Sequence, residues 1–252
     1  MPLSFRDHFS RIAPGYATYR PRYPAPLFDF LADVAPAHAL AWDCACGSGQ
    51  ATVDLAERFE RVVATDASAS QLEQAPAHPR VEWRVAPAER SGIASATVDL
   101  VTIAQALHWV DVDGFFREAR RVMKPDGVVA VWSYSGLRTG DEDIDLLVRH
   151  YSHDVVGPCW PPERRMVDDG YRSIVFPFTE IDPPTFTMAE RWTLEQLLGY
   201  VRTWSATARY IEMRKEDPMP ALASRLAEKW GDPGVVRRVE WPLTVRVGTV
   251  IQ

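Results

Sequence analysis

Two acidic residues follow short apolar segments, and a glycine-bearing turn lies between them. The chain from Asp43 to Gly49 reads D-C-A-C-G-S-G, and Asp66 ends the apolar segment 62–65. A strand that breaks into a glycine turn and then opens a helix brings backbone N–H groups close to a ligand. An acid at the tip of the next strand can accept hydrogen bonds from both hydroxyls of a ribose. The spacing therefore predicts a nucleoside-containing cofactor with Asp66 at its ribose, the alternative for Asp66 being a cap on the next helix.

The positions of the glycines separate two kinds of nucleoside cofactor. A dinucleotide fold has the pattern G-x-G-x-x-G, but Thr52 takes the place of the third glycine after Gly47 and Gly49. The run that begins at Asp43 resembles motif I of the class I S-adenosylmethionine-dependent methyltransferases, D-x-G-x-G-x-G, with Ala45 in place of the first glycine. Because alanine resists a positive φ angle, we expect a turn that alanine can adopt at this position.

Three further segments resemble the same family, in the same order. Residues 86–89 read A-P-A-E and are similar to the family's G-D-A-E turn, which holds the adenine, with Pro87 in place of the acid. Residues 104–109, A-Q-A-L-H-W, follow a fourth apolar segment, and residues 124–127, K-P-D-G, precede a fifth. The resemblance covers residues 38–134 and implies that the cofactor is S-adenosylmethionine.

The resemblance also assigns roles to single positions. The residues that it places at the cofactor are Arg20, Asp43, Ala45, Gly47, Gly49, Asp66, Ala67, Ala88, Glu89, Ala104 and Gln105. Asp43 either faces the methionine amine through water or ties down the loop, and Arg20 pairs with a carboxylate of the cofactor or of the acceptor. His108 is the candidate catalytic residue, because a neutral imidazole beside the methyl donor can orient or deprotonate an acceptor hydroxyl. The alternative for His108 is a structural histidine that packs and hydrogen-bonds.

Aromatic residues concentrate near the N-terminus, where residues 20–24 read R-P-R-Y-P. This segment resembles the one that folds over the cofactor in small-molecule methyltransferases related to trans-aconitate methyltransferase. The candidate substrate-binding residues are Tyr16, Tyr19, Trp109 and Trp204, since aromatic faces can line an acceptor pocket and exclude water. Each of them is otherwise a core residue. The resemblance implies a small-molecule methyl acceptor, and we expect methylation at oxygen, on a hydroxyl or a carboxylate.

Strands and helices alternate between residues 39 and 134, which indicates a parallel sheet with helices on both faces. The predicted fold class is α/β, a doubly wound and mostly parallel seven-stranded sheet, and the resemblance implies that the last strand inserts antiparallel between the fifth and sixth. We predict a single methyltransferase domain over residues 1–252, with an N-terminal segment (1–37), a cofactor-binding core (38–134) and a substrate-side part (135–252). The pattern predicts helices over 25–34, 68–77, 113–123 and 194–204, and later extended segments over 171–180, 185–192 and 235–250.

Composition excludes several other classes of protein. The formal net charge is −6, and no stripe of lysine and arginine could follow a nucleic acid backbone. No apolar run approaches the roughly 18 residues of a membrane span. The three cysteines suit reduced thiols in a cytoplasmic protein. Cys44 and Cys46 lie in the glycine turn away from other ligands, which favours small buried thiols over a metal site, so we expect no metal.

Two other functions remain open from the sequence. A nicotinamide-dependent oxidoreductase could use a similar sheet, but the third glycine and a Tyr-x-x-x-Lys pair are both missing. A cofactor-binding module without turnover is the non-enzymatic alternative, and Ala45 and Pro87 are the departures from the family pattern that support it. The sequence does not indicate an oligomeric state.

Overall fold

A central mixed sheet organises the protein, whose computed structural model describes residues 19–250. The strands are β1 (Leu40–Cys44), β2 (Arg61–Asp66), β3 (Val81–Val85), β4 (Val98–Ala104), β5 (Met123–Ser133), β6 (Thr179–Ile181), β7 (Thr187–Trp192), β8 (Arg237–Pro242) and β9 (Thr244–Thr249). The helices are α1 (Ala25–Val34), α2 (Thr52–Ala56), α3 (Ala69–Leu72), α4 (Val112–Val122), α5 (Glu142–His150), α6 (Arg164–Asp168), α7 (Leu194–Arg202), α8 (Ser205–Arg214) and α9 (Met219–Trp230).

The sheet has seven strands in the order β3-β2-β1-β4-β5-β9-β6. Strands β1 to β5 are mutually parallel, whereas β9 runs antiparallel to both β5 and β6. The predicted fold class and the antiparallel insertion of the last strand are therefore confirmed. Because β1 lies between β2 and β4, the strand order reverses at β1, and ligands of such sheets bind at that point beyond the carboxyl ends of the strands.

Apolar side chains cover both faces of the sheet. Helix α1 packs Leu27, Phe28 and Leu31 against one face, together with Trp132 of β5. Helix α4 buries Phe115 and its neighbours against the other face. Strands buried on both faces tend to read as continuous apolar runs, as residues 128–132 of β5 do, which explains why the sequence located them.

The K-P-D-G segment differs from the turn expected before the fifth strand. Strand β5 already begins at Met123, which pairs with Val98, and pairing resumes at Leu100 and Val128. The four residues 124–127 therefore bulge opposite Asp99. Within this bulge the Lys124 ammonium lies 2.6 Å from the buried Asp99 carboxylate. The other carboxylate oxygen of Asp99 accepts the backbone N–H groups of residues 39 and 40, which fastens the start of β1.

Three predicted elements have different bounds. The helix over 68–77 is only the single turn α3, because Pro76 disfavours helical backbone at the residue before it and cannot lie in a helix interior. The strand over 171–180 is reduced to β6, after a turn in which Tyr171 has a φ of 60°. The segment 235–250 is two strands that meet near Pro242. Of these, β8 pairs with β7 in a separate two-stranded sheet, and β9 enters the central sheet.

Candidate active site

The loops after β1, β2, β4 and β5 meet at one edge of the sheet. The N–H of Cys46 donates to the carbonyl of Thr65 over 3.0 Å, and the N–H of Gln105 donates to that of Trp132 over 2.8 Å. These hydrogen bonds continue the pairing of the strands into the loops. Most of the positions predicted at a cofactor therefore lie at the carboxyl ends of parallel strands, beside the point where the strand order reverses.

Asp66 ends β2 and bridges two backbone segments. Its Oδ2 accepts the N–H of Gly47 and its Oδ1 accepts the N–H of Ser68, each over 2.8 Å. Ser68 precedes α3, so Asp66 also supports the start of that helix. A carboxylate oxygen has two lone pairs and can accept more than one hydrogen bond, so these two backbone bonds do not by themselves prevent Asp66 from accepting the hydroxyls of a ribose. The two predicted roles of Asp66, at a ribose and at a helix start, are thus compatible.

The glycine turn adopts left-handed backbone at three positions. Ala45 has a φ of 51°, which lies in the small left-handed region that residues other than glycine can adopt, and Gly47 has a φ of 57°. Among residues 19–250, a Cβ on Gly47 would meet only the Gln71 side chain, 3.7 Å away, so these residues leave room for a ligand beside the backbone there. Gly49 differs, because a Cβ there would overlap the indole of Trp83. Gly47 is thus the glycine open to a ligand, whereas Gly49 serves packing against β3.

Asp43 is fully buried below the turn. Its carboxylate oxygens accept the hydroxyls of Thr52, at 2.5 Å, and of Thr102, at 2.9 Å. Burial raises the pKa of Asp43 to about 6, against the opposing effect of the two hydroxyls. Of the two roles considered for Asp43, this geometry favours tying down the loop.

The A-P-A-E turn is held by helix α4. Ala88 is buried, and the Glu89 carboxylate accepts the N–H of Asp111 over 3.0 Å, next to the start of α4. Nearby, Glu118 is 7% exposed and accepts both the N–H and the hydroxyl of Ser91. The hydrogen bonds from Arg121 lower the pKa of Glu118 to about 2. The Glu89 side chain is therefore engaged in structure as well as being near the predicted adenine position.

Ala67 and Ala104 occupy the ends of β2 and β4. Ala67 follows Asp66 directly and is exposed, whereas Ala104 is the last residue of β4 and is partly buried. Both lie at the same edge as the glycine turn, where their backbones are the groups that a ligand can contact.

Gln105 follows β4 and forms a double hydrogen bond with Tyr134. Its Nε2 donates to the Tyr134 carbonyl over 3.0 Å, and its Oε1 accepts the Tyr134 N–H over 2.8 Å. The hydroxyl of Tyr134 in turn accepts a hydrogen bond from Nη1 of Arg20 over 3.1 Å. Gln105 and Arg20, both predicted at the cofactor, are thus joined through a residue that the sequence did not single out.

His108 lies in a 3-10 turn between β4 and α4 and is 8% exposed. Its Nδ1 is 2.9 Å from the hydroxyl of Tyr171, and its ring packs on Trp109 with centroids 4.6 Å apart. Burial lowers the pKa of His108 to about 3, and the positive charge of Arg164 acts in the same direction. The imidazole is therefore neutral at physiological pH, but a pKa this low also weakens it as a general base, and its packing is that expected of a structural histidine.

The predicted acceptor aromatics lie in two places. The Tyr19 ring covers Gly199 of α7, where a Cβ would lie 2.7 Å from its Cζ. Trp204 packs on Trp160 and on Tyr200, each with centroids 5.8 Å apart. Trp109 is on the His108 side, and Tyr16 lies outside the described residues.

Several residues around this edge were missed from the sequence. Arg164 stacks on Trp160 at 4.3 Å and donates from Nη2 to the carbonyl of Ser135 over 3.0 Å. Tyr134, Trp160, Arg164 and Tyr171 all come from beyond the recognisable motifs. Only the fold brings them to the edge, and no local pattern in the sequence marks them.

Within residues 19–250, no cluster of three or more His, Cys, Asp or Glu side chains could hold a metal ion. Burial raises the pKa of both Cys44 and Cys46, so these thiols are protonated. In the same part of the chain no helix is both long and apolar enough to cross a membrane.

Comparisons with known proteins agree on one family. A methyltransferase domain model matches residues 42–131. A Dictyostelium discoideum protein provisionally named as a methyltransferase is 32% identical over 91% of this chain and 88% of its own length. The malonyl-acyl-carrier-protein O-methyltransferase of Dechloromonas aromatica is 35% identical over 56% of each chain. A solved structure from Anaeromyxobacter dehalogenans, provisionally described as a type II methyltransferase, is 45% identical with a TM-score of 0.87, covering 92% of this chain and 98% of that one.

Proposed function

Since this chain belongs to the methyltransferase family, we propose that it is an S-adenosylmethionine-dependent enzyme that methylates a small molecule. The observation that carries the proposal is Asp66, whose carboxylate lies at the strand-order reversal and accepts the backbone N–H of Gly47, the glycine with room for a ligand beside it, as well as that of Ser68. A ribose with two free hydroxyls needs such an acceptor.

The residues at this edge fit an adenosyl group. Gly47 has a left-handed backbone, and the Gln71 side chain, 3.7 Å from the position of a Cβ, leaves room for a ligand to approach closely. Asp66 would hold the ribose, and the buried turn around Ala88 would flank the adenine. Arg20 would pair with the carboxylate at the methionine end, since guanidinium groups bind carboxylates through charge-assisted hydrogen bonds.

When bound, S-adenosylmethionine supplies an electrophilic methyl group on a positively charged sulfur. Transfer breaks the carbon–sulfur bond and forms the bond to the acceptor in line, so the protein has mainly to orient the two partners and exclude water. In this proposal Trp109, beside His108, and Tyr19 and Trp204, near α7, exclude water from the reaction. No covalent nucleophile of the enzyme is needed.

We propose an oxygen atom as the site of methylation, on a hydroxyl or on a carboxylate. The O-methyltransferase among the relatives supports oxygen as the acceptor atom. The net charge of −6 argues against nucleic acid as the acceptor. His108, held neutral by burial, is the candidate group for taking a proton from a hydroxyl. A carboxylate is already ionised near neutral pH and needs no base.

A methyl-transfer assay separates these acceptors. Purified protein is incubated with S-adenosylmethionine labelled in the methyl group and a panel of small hydroxyl and carboxylate compounds. With a hydroxyl acceptor, His108→Ala should slow transfer by about 10²–10⁴, the usual contribution of general base catalysis, and with a carboxylate the effect should be small. His153→Ala, at an exposed histidine, is the control. An intact rate with a hydroxyl acceptor would remove His108 from the mechanism, and no transfer to any compound would favour a binding module.

A further inference from the structure

The backbone of Gln105 has a conformation that is rare for a residue other than glycine. Its φ is 52°, in the left-handed region that residues other than glycine rarely adopt. Such conformations persist where the surrounding structure holds them, and they concentrate at functional sites. Here the conformation allows the side-chain amide to lie against the strand β5 extension instead of pointing away from the sheet.

The amide of Gln105 is engaged on both of its polar atoms. Nε2 donates to the carbonyl of Tyr134 and Oε1 accepts its N–H, while the Gln105 backbone N–H donates to Trp132. These three bonds extend the pairing of β4 with β5 by one further step. They hold the backbone of Tyr134, whose hydroxyl accepts the hydrogen bond from Arg20.

We propose that Gln105 is a positioning residue that acts through the Tyr134 hydroxyl to orient Arg20 toward the cofactor. This inference rests on the proposed function, in which Arg20 binds the carboxylate at the methionine end. In this proposal Gln105 acts on the cofactor indirectly, whereas the sequence predicted that it binds the cofactor directly.

The Arg20 side chain is flexible and lies among several phenol groups, so binding a carboxylate requires that it be held in one orientation. Its guanidinium lies near the phenol groups of Tyr23 and Tyr200. Burial raises the pKa of both phenols, and the nearby Tyr134 hydroxyl raises it further. The positive charge of Arg20 acts in the opposite direction and lowers the pKa of both. An arginine side chain has several rotatable bonds, and fixing it in one rotamer costs conformational entropy on binding. A hydrogen bond formed before the ligand arrives lowers that cost.

A double-mutant cycle on ligand affinity tests this relay. The variants are Arg20→Ala, Tyr134→Phe, Gln105→Ala and each of the latter two combined with Arg20→Ala. The dissociation constant of S-adenosylhomocysteine is measured by calorimetry, and thermal unfolding of each variant establishes that it is folded. Gln74→Ala removes a glutamine amide at an exposed position and is the matched control.

The relay predicts a specific pattern of affinities. Tyr134→Phe and Gln105→Ala should each weaken binding by roughly 2- to 10-fold, the range of one hydrogen bond, and Arg20→Ala by more. In the Arg20→Ala background, neither should weaken binding further, because interactions that act as one unit are not additive. A loss of protein stability alone would not produce this coupling.

Three outcomes would overturn the relay. Unchanged affinity in folded Gln105→Ala and Tyr134→Phe would show that Arg20 needs neither group. Additive losses in the Arg20→Ala background would show that they act independently of Arg20. If the wild-type protein fails to bind S-adenosylhomocysteine, the proposed function and the relay are both overturned. In the other two outcomes the wild-type protein still binds, so only the relay is overturned.

Discussion

The carboxylate of Asp66 accepts a hydrogen bond of 2.8 Å from the backbone N–H of Gly47. This contact joins the tip of β2 to the turn after β1, so the shape of the turn and the position of the acid are set together. A ligand that binds Asp66 also meets the open backbone of Gly47.

Asp66→Ala should weaken the binding of S-adenosylhomocysteine by roughly 10- to 100-fold, because charge-assisted hydrogen bonds of about 1.5–3 kcal/mol are lost. Calorimetry of the folded variant measures the change. Asp33→Ala, at an exposed position of α1, should leave the affinity unchanged. If Asp66→Ala binds as tightly as wild type, the ribose assignment is wrong.

Asp43→Asn should change the pH dependence of stability. Burial raises the folded-state pKa of Asp43 from 3.8 to about 6, so its contribution to stability is greatest at acid pH and is lost as the pH rises through 6. Asparagine does not titrate. Between about pH 4 and about pH 7, the free energy of unfolding of the variant should therefore rise relative to wild type, by up to roughly 3 kcal/mol. Urea unfolding across this range measures it, and a constant difference would contradict the prediction.

Asp43→Asn should also keep the affinity for S-adenosylhomocysteine. Both carboxylate oxygens already accept threonine hydroxyls, and a hydroxyl can donate to the amide oxygen or accept from the amide nitrogen. A loss comparable with that of Asp66→Ala in calorimetry would instead support contact with the methionine amine.

Glu118→Gln should lose stability at neutral pH and converge with wild type in acid. The hydrogen bonds from Arg121 lower the pKa of Glu118 from 4.5 to about 2, so its contribution is present above 4.5 and is lost as the pH falls toward 2. Denaturation in urea at several pH values measures the difference. Glu142→Gln, at an exposed position in α5, is the control. A difference independent of pH would show that the ionised carboxylate is not what Ser91 and Arg121 require.

Gly49→Ala should be more destabilising than Gly140→Ala. Both glycines have positive φ angles, 88° and 77°, but only the Cβ at residue 49 would overlap Trp83, whereas that at residue 140 meets open space. The shared backbone cost is about 1–2 kcal/mol, and overpacking should add about 1–3 kcal/mol at Gly49 alone. Urea unfolding compares the two variants, and equal losses would show that Trp83 moves aside freely.

Gly199→Ala should destabilise the wild-type protein but stabilise a variant that lacks the Tyr19 ring. In wild type the new Cβ would lie 2.7 Å from Cζ of Tyr19 and displace the ring, which costs stability. In a Tyr19→Ala background, alanine should instead stabilise α7 by up to about 1 kcal/mol through its higher helix propensity. Thermal unfolding of the four proteins completes the cycle. The same sign in both backgrounds would mean that the Tyr19 ring is not seated on Gly199.

The parallel strands were predictable because the information is local. A strand buried on both faces tends to read as a continuous apolar run, as residues 128–132 of β5 do, and helix α1 begins after a proline and ends at its predicted residue. The split of residues 235–250 into β8 and β9 was not predictable, because both halves read as one extended strand. Pairing with β7 and with β5 decides the division, and it depends on residues far away in the chain.

In the candidate site, too, some residues were predictable from local sequence and others were not. Gly47 lies in the turn after one strand and Asp66 at the end of the next, and this spacing predicts that both lie at the same edge of the sheet. Tyr171, which contacts His108, lies 63 residues away from it in sequence. The side chain of Gln105 was correctly placed at the edge, but its partner Tyr134 is known only once β4 and β5 are paired.

The most direct test of the methyltransferase assignment is calorimetric titration of the purified protein with S-adenosylmethionine, S-adenosylhomocysteine and NADH in parallel. The account predicts binding of both adenosyl ligands and none of NADH, because the third glycine of a dinucleotide site is replaced by Thr52. Preference for NADH, or binding of none of the three, would contradict it.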